Sequence, residues 1–286
     1  MINRLPAWFK QEIPDTLSLR ERTSFFRGLN LNTVCESAHC PNISDCFKRQ
    51  TATFMILGNV CTRKCRFCAV EKGEPLPVDS SEPENIVSAV RQLGLKYVVI
   101  TAVTRDDLSD GGAGQFVLTV SKLREAFPEI KIELLIPDFQ GKKEDLEKVT
   151  KCRPDVSGHN LETVARLYDV VRPQADYLRS LDLLSQIKRT NNSILTKSGI
   201  MVGLGEKREE IIKTMQDLRK VNCDILTIGQ YLAPSSEHLP VVRFLSQKEF
   251  SDLGNLALTM GFKQACCAPK VRSSYHSEEV FAKCMI

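Results

Sequence analysis

A chain of 286 residues, 42% apolar and with only 15 Gly and 13 Pro, is long enough to bury the core of one large α/β domain. Its 39 Lys and Arg against 35 Asp and Glu leave a net charge of +4, which excludes the concentrated basic surplus of a nucleic-acid binder. No apolar run reaches the roughly 18 residues of a membrane span, and residues 1–15 carry Glu12, Asp15 and two prolines instead of a signal or transit peptide. The expectation is therefore a soluble cytoplasmic protein with no membrane and no nucleic-acid partner.

In chain order, residues 1–30 place Trp8, Phe9, Phe25 and Phe26 among charges, which reads as an extension packed onto the body of the domain. Then come Cys35, Cys40 and Cys46, spaced C-x4-C-x5-C in a turn-forming stretch with Pro41 and Asn42. Three thiols there predict an iron-sulfur cluster; a zinc site completed by His39 or another thiol is the alternative. A β-like apolar run ends at Leu57 and is followed by Cys61, Cys65 and Cys68, spaced C-x3-C-x2-C. Three ligands are one too few for a closed zinc site, and on a four-iron cluster they leave one iron open to another molecule. With eleven cysteines clustered in this way and no signal peptide, metal or redox use is the better reading than disulfides. The remaining thiols, Cys152, Cys223, Cys266, Cys267 and Cys284, are assigned no metal role.

Beyond the thiols, strand-like runs at 54–57, 97–101, 130–136, 155–157, 194–202 and 225–228 alternate with helical patterns. The helical spacing is plain at Ile86, Val87, Val90 and Leu93, at Ile211, Ile212, Met215 and Leu218, and at Leu253, Leu256, Leu258 and Met260. Pro83 and Glu84 mark one helix start and Gly94 its stop. Six βα units imply parallel strands with right-handed crossovers, a partial TIM-like (β/α)6 barrel with its site at the C-terminal ends of the strands. Residues 1–50 would form the N-terminal extension, 51–265 the barrel and 266–286 a C-terminal segment of the same domain.

The Cys61, Cys65 and Cys68 spacing resembles the signature of radical S-adenosylmethionine (SAM) enzymes. Together with the upstream triad, His159-Asn-Leu-Glu-Thr163 and Arg272-Ser-Ser-Tyr-His276, it resembles the lipoyl synthase family over nearly the whole chain. That resemblance implies two 4Fe-4S clusters and SAM as cofactors. The Cys61, Cys65 and Cys68 cluster would bind and reductively cleave SAM to a 5'-deoxyadenosyl radical. Cys35, Cys40, Cys46 and a serine matching Ser274, with Ser273 as its competitor, would hold an auxiliary cluster consumed as sulfur donor for C6 and C8 of a protein-bound octanoyl-lysine chain. It implies as partners the octanoylated carrier domains of 2-oxoacid dehydrogenases and of the glycine cleavage H protein, and an electron donor such as flavodoxin or ferredoxin. A methylthiotransferase acting on tRNA or protein is the alternative.

SAM-binding positions follow by the same resemblance. They are Asn160 and Glu162; Gly199, Met201, Gly203 and Glu206 of the Gly-x-Ile-x-Gly-like run; Gln230 and Tyr231; and Asp107 and Asp110 with Gly111 and Gly112 in the 101–112 loop. Each has a plainer reading: Asn160 as a helix cap, Glu206 in a first helical turn, the two aspartates at a helix start. Two departures stand out. Ser157 and Gly158 replace the Phe-Asn usual before His-Asn-Leu-Glu-Thr, and Cys267-Ala-Pro269-Lys precedes a C-terminal motif that runs on into Ser277.

Overall fold

The computed structural model describes residues 6–9, 16–48 and 53–285. The chain runs through α1 (Thr16–Gly28), β1 (Asn32–Thr33), α2 (Val34–Ser37), α3 (Ile43–Lys48), β2 (Thr53–Ile56), β3 (Val60–Cys61) and β4 (Glu71–Lys72). Strands and helices then alternate: α4 (Glu82–Leu93), β5 (Tyr97–Ala102), α5 (Ala113–Ala126), β6 (Lys131–Leu135), α6 (Lys143–Lys151), β7 (Val156–Gly158), α7 (Tyr168–Val171) and α8 (Tyr177–Thr190). The last part holds β8 (Leu195–Val202), α9 (Arg208–Lys220), β9 (Ile225–Gln230), α10 (Gln247–Thr259), β10 (Gln264–Cys267) and α11 (Ser277–Cys284).

All six expected strands form, and they pair in sequence order. The sheet runs β1-β2-β5-β6-β7-β8-β9-β10, parallel from β2 onward, with β1 antiparallel on the edge. The order does not close on itself, which leaves a partial barrel. A seventh parallel strand, β10, extends the predicted six on the β9 side. Its Gln-Ala-Cys-Cys sequence lacks the β-branched run that betrays the others, and its residues are only half buried. Continuous burial in β2 and β9 reflects cover on both faces, as parallel strands require.

Helices α4 and α9 bury the predicted apolar side, α9 through Ile211, Met215 and Leu218, but α10 buries a different one. In α4, Ile86, Val87 and Val90 are buried, Pro83 sits in the first turn and Gly94 ends the helix at φ 64°. In α10 the buried side is Phe250, Leu253 and Ala257, whereas Leu258 turns to solvent. At the other end of the chain, Phe9 and Phe26 are buried, and Phe26 meets Phe54 of β2 edge-on at 5.9 Å. A small apolar group, Val156, Leu195, Ile225 and Val280, joins α11 to the N-terminal ends of β7, β8 and β9. There Ser277 lies inside a buried network, taking a bond from Lys197 Nζ at 2.8 Å beside the Lys197–Glu133 pair.

The turn that leaves β2 toward the cysteine loop is built with care for its backbone. Leu57 and Gly58 both take positive φ, 69° and 86°, and the buried Glu82 carboxylate accepts both of their N–H groups at 2.9 Å. Gly112 lies against the same turn at φ 87°, where a Cβ would stand 2.2 Å from Leu57 Cδ1. Gly112→Ala is expected to lower stability by about 1–3 kcal/mol, read as a shifted denaturant midpoint at unchanged slope. An unshifted midpoint would show that Leu57 moves aside freely.

Candidate active site

The loop 61–68 stands at the C-terminal end of β2 and is fastened to its neighbours by backbone and side chain. Thr62 donates from both N and Oγ1 to Thr104 O, Gly73 N donates to Cys61 O at 3.1 Å, and Arg66 N donates to Val171 O at 3.0 Å. His238 Nε2 lies 3.0 Å from Cys68 O, with Ser235 Oγ on its other ring nitrogen at 2.8 Å. Arg63, within the loop, is 4% exposed and forks onto Asp106 at 2.7 Å and Asp138 at 2.5 Å, while Asp138 also meets Arg179 at 3.3 Å. These bonds fix where the three sulfurs point, since a loop of this length has no regular structure of its own to do so.

The Arg63 anchor has a measurable pH signature. Burial alone would raise the Asp138 carboxyl, but the Arg63 guanidinium outweighs burial and holds it at about 2. A carboxyl depressed in the folded state contributes stability at neutral pH that is lost as pH falls through the window from about 4 to about 2. Arg63→Ala leaves Asp138 buried beside Arg179 alone and is expected to destabilise by about 3–5 kcal/mol, as for any buried pair stripped of one partner. Urea melts at pH 7 and pH 3 check this: the penalty should shrink at the lower pH, and an equal penalty at both would overturn the assignment.

A cavity of about 1260 Å3 opens beneath the loop, larger than a pocket for one small ligand. Cys61, Cys65 and Cys68 line it, as do Cys35, Cys40 and Cys46 with Ser273 and Ser274. The second triad is carried by α2, the following turn and α3. It is joined to the C-terminal segment by Asn42 Nδ2 donating to Lys270 O at 2.6 Å and Tyr275 OH donating to Asp45 at 3.0 Å. Cys35 is buried, and a hydrogen bond with Cys46 followed by burial pushes its thiol well up. Burial likewise raises Cys40 and Cys65 and takes Cys68 up to about 12. Thiols held this way become thiolates when metal supplies the positive charge.

The donor sets suit clusters better than single ions. Among the described residues, no three His, Cys, Asp or Glu side chains are arranged to hold one metal ion. A four-iron cluster spreads its thiolates over separate corners, which is what three sulfurs facing a roomy cavity allow. The wall between the triads also holds unmet polar groups. Asn160 Nδ2 donates to Glu162 at 2.9 Å, yet Asn160 Oδ1 is buried with no partner; so is Nε of Arg172, which lines a smaller adjoining pocket with Asn160 and Glu162. An orphaned acceptor costs about 1–3 kcal/mol, so a donor-bearing ligand is the natural complement. Glu162 takes φ 64° and is bridged to β8 through Glu162 N to Gly199 O and Met201 N to Glu162 O, at 2.9 and 2.8 Å. Burial raises its carboxyl against the pull of Arg172. Gly199 leaves a cradle here, since a Cβ would come within 2.7 Å of Thr227 Oγ1 and 3.0 Å of Asn160 Oδ1.

Of the positions singled out in the sequence for SAM, Asn160, Glu162, Gly199, Met201 and Tyr231 border this cavity. Seven others do not: Gly111 and Gly112 lie against Phe139 and Leu57, and the other five are committed elsewhere. Asp107 forks onto Arg105, Asp110 caps the start of α5 by accepting from Gly112 N and Gly114 N, and Glu206 accepts from Gly203 N and Leu204 N. Gln230 is wholly buried, donating to Val202 O and Arg243 O and accepting from Leu245 N. Gly203 faces that amide, its Cβ position 2.2 Å from Gln230 Nε2. Asn160 heads no helix; its segment lies along β8. The residues that spacing could not reveal are Arg63 and Arg172, which reach the site only through the fold. Arg172 donates to Asn160 O at 2.8 Å and so sets the segment that carries the orphaned amide.

Comparison with known proteins now bears on this geometry. The profile of the Radical SAM superfamily matches residues 55–218. The lipoyl synthase of Caldanaerobacter subterraneus subsp. tengcongensis is 51% identical over 278 residues, which cover 97% of each chain. The lipoyl synthase of Methylobacillus flagellatus is 51% identical over 276 residues, 96% of this chain and 85% of that one. Among solved structures, HydG, a maturase of the FeFe-hydrogenase, superposes with TM-score 0.58 at 14% identity, covering 81% of this chain and 54% of that one. Methylornithine synthase follows with TM-score 0.54 at 16% identity, covering 72% and 60%. The two structures establish the fold, and the full-length curated relatives set aside the methylthiotransferase alternative: the chain belongs to the lipoyl synthase family of the radical SAM superfamily.

Proposed function

We propose that Cys61, Cys65 and Cys68 hold the 4Fe-4S cluster that binds SAM, and that Cys35, Cys40, Cys46 and Ser274 hold an auxiliary 4Fe-4S cluster used up as sulfur donor. One observation carries this reading: both triads, Ser274, Asn160 and Glu162 border a single cavity. When bound, the clusters and SAM supply the reductive sulfonium cleavage, hydrogen abstraction and sulfur that no acid-base side chain can provide.

The chain's own part is placement. The Arg63, Thr62 and His238 bonds hold the first triad, Asn160 Oδ1 and Glu162 are free to receive the donors of a nucleoside, and Gly199 lets it approach the β8 backbone. The apolar walls contributed by Val34, Met55 and Val99 keep water from the reacting alkyl chain. Ser274 would offer the cluster a hydroxyl oxygen, a harder and weaker ligand to iron than a thiolate and so the one most easily displaced. The substrate is an octanoyl-lysine on a lipoyl carrier domain, from a 2-oxoacid dehydrogenase or the glycine cleavage H protein, and a flavodoxin or ferredoxin supplies electrons. The setting is cytoplasmic, where thiols stay reduced; no described helix is long and apolar enough to cross a membrane.

Anaerobically reconstituted protein is expected to hold about eight irons and to convert an octanoyl-lysine peptide to its lipoyl form with release of 5'-deoxyadenosine. Iron near four with undiminished product would remove the auxiliary cluster from the reading.

A further inference from the structure

The segment 269–272 is laid along the end of β9 by Gln230 N donating to Pro269 O at 3.2 Å. It fits because Gly229 has no side chain: a Cβ would stand 2.0 Å from Val271 O and 3.3 Å from Arg272 Nη1. Arg272 is thereby pinned into the wall of the cavity, where Cys40 and then Glu162 are the ionisable groups that act on it. Among the described residues it makes no ion pair, and it donates from Nη1 to the Val271 carbonyl at 2.7 Å. A guanidinium carries five N–H donors in a planar fork suited to an anion. Half-buried in this wall with no carboxylate bonded to it, the guanidinium suits an anion inside the cavity, toward Cys40.

We propose that Arg272 is a positioning residue of the auxiliary cluster, its guanidinium set against the anionic sulfur face at the Cys40 corner. The proposal rests on the two-cluster reading above. It explains why the segment is built so tightly onto Gly229: the cation must be held at a fixed place, immediately before the serines that approach the same cluster. A cation beside the cluster would stabilise its reduced, more negative state and so raise its potential.

The test uses full-length, anaerobically reconstituted wild type, Arg272→Gln and Arg272→Lys. Iron per chain is measured, and EPR-monitored redox titrations give the midpoints, the two signals being told apart with the Cys65→Ala protein. Arg272→Gln is expected to shift the auxiliary midpoint to more negative potential with the other cluster unchanged, and Arg272→Lys to restore most of the shift. An auxiliary midpoint that does not move, or a shift confined to the cluster of Cys61, Cys65 and Cys68, would overturn the proposal. A raised KM for SAM with both midpoints unmoved would do the same, by giving the guanidinium to the SAM carboxylate. If Arg272→Gln loses the auxiliary iron altogether, the Lys variant decides: about eight irons there supports a charge role, and about four refutes it. Wild type holding only about four irons would instead sink the two-cluster reading itself.

Discussion

Cys65→Ala protein is expected to release no 5'-deoxyadenosine, whereas Cys40→Ala releases it at close to the wild-type rate and inserts no sulfur. The two residues border one cavity but belong to differently built walls. Cys65 stands in the loop fastened by Arg63 and Thr62, facing Glu162 and Arg172, which are among the charges that act on its thiol. Cys40 stands in the turn between α2 and α3, facing Arg272. Losing a direct thiolate ligand should take the affected activity below about one hundredth of wild type, since even outer partners of metal ligands are worth 10- to 100-fold. Chromatography of the nucleoside and mass spectrometry of the peptide read the two activities separately. Equal loss of both products in both variants would mean that the triads serve one site.

Ser274→Ala should bring the iron content from about eight to about four, while Ser273→Ala stays near eight. Both serines border the cavity, so position alone does not rank them. The segment is anchored directly after them, by Tyr275 OH on Asp45 and by His276 Nδ1 at 3.0 Å from Glu279. A third variant sharpens the chemistry. Ser274→Cys replaces a hard oxygen with a soft thiolate and is expected to keep about eight irons but to slow sulfur transfer, because the corner that should open is now tightly held. Iron lost from Ser273→Ala and kept in Ser274→Ala would reassign the ligand.

Much of the architecture was legible in the sequence because parallel βα units announce themselves. Unbroken apolar runs, helical spacing, and a Pro and Gly bracketing α4 were sufficient for six strands and three helices. Strand β10 was not legible, since it is half buried and made of Gln, Ala and Cys. The two thiol triads stood out by their spacing, and the fold brings both to one cavity. The SAM positions divided according to how local their alternative was. Asp107, Asp110 and Glu206 each find partners within four residues and are absorbed by turns and caps. Asn160 and Glu162 bond each other, but the amide keeps an unmet oxygen that only the folded wall reveals. Arg63 and Arg172 left no signal, because their partners are brought by other strands and helices.

The ties between the two ends of the chain carry one more consequence, about the order of events in biosynthesis. Asn42 is bonded to a carbonyl 228 positions away and Asp45 to a tyrosine 230 positions away. The loop 61–68, by contrast, has most of its partners nearer in the chain, at Thr104, Asp106, Asp138 and Val171, with His238 and Leu239 the latest. A growing chain therefore has every partner of the first thiol loop once Leu239 is made, whereas the second triad waits for Lys270 and Tyr275. On the two-cluster reading, the auxiliary cluster would be delivered only after residues 270–275 have folded back onto the turn that carries Asn42 and Asp45.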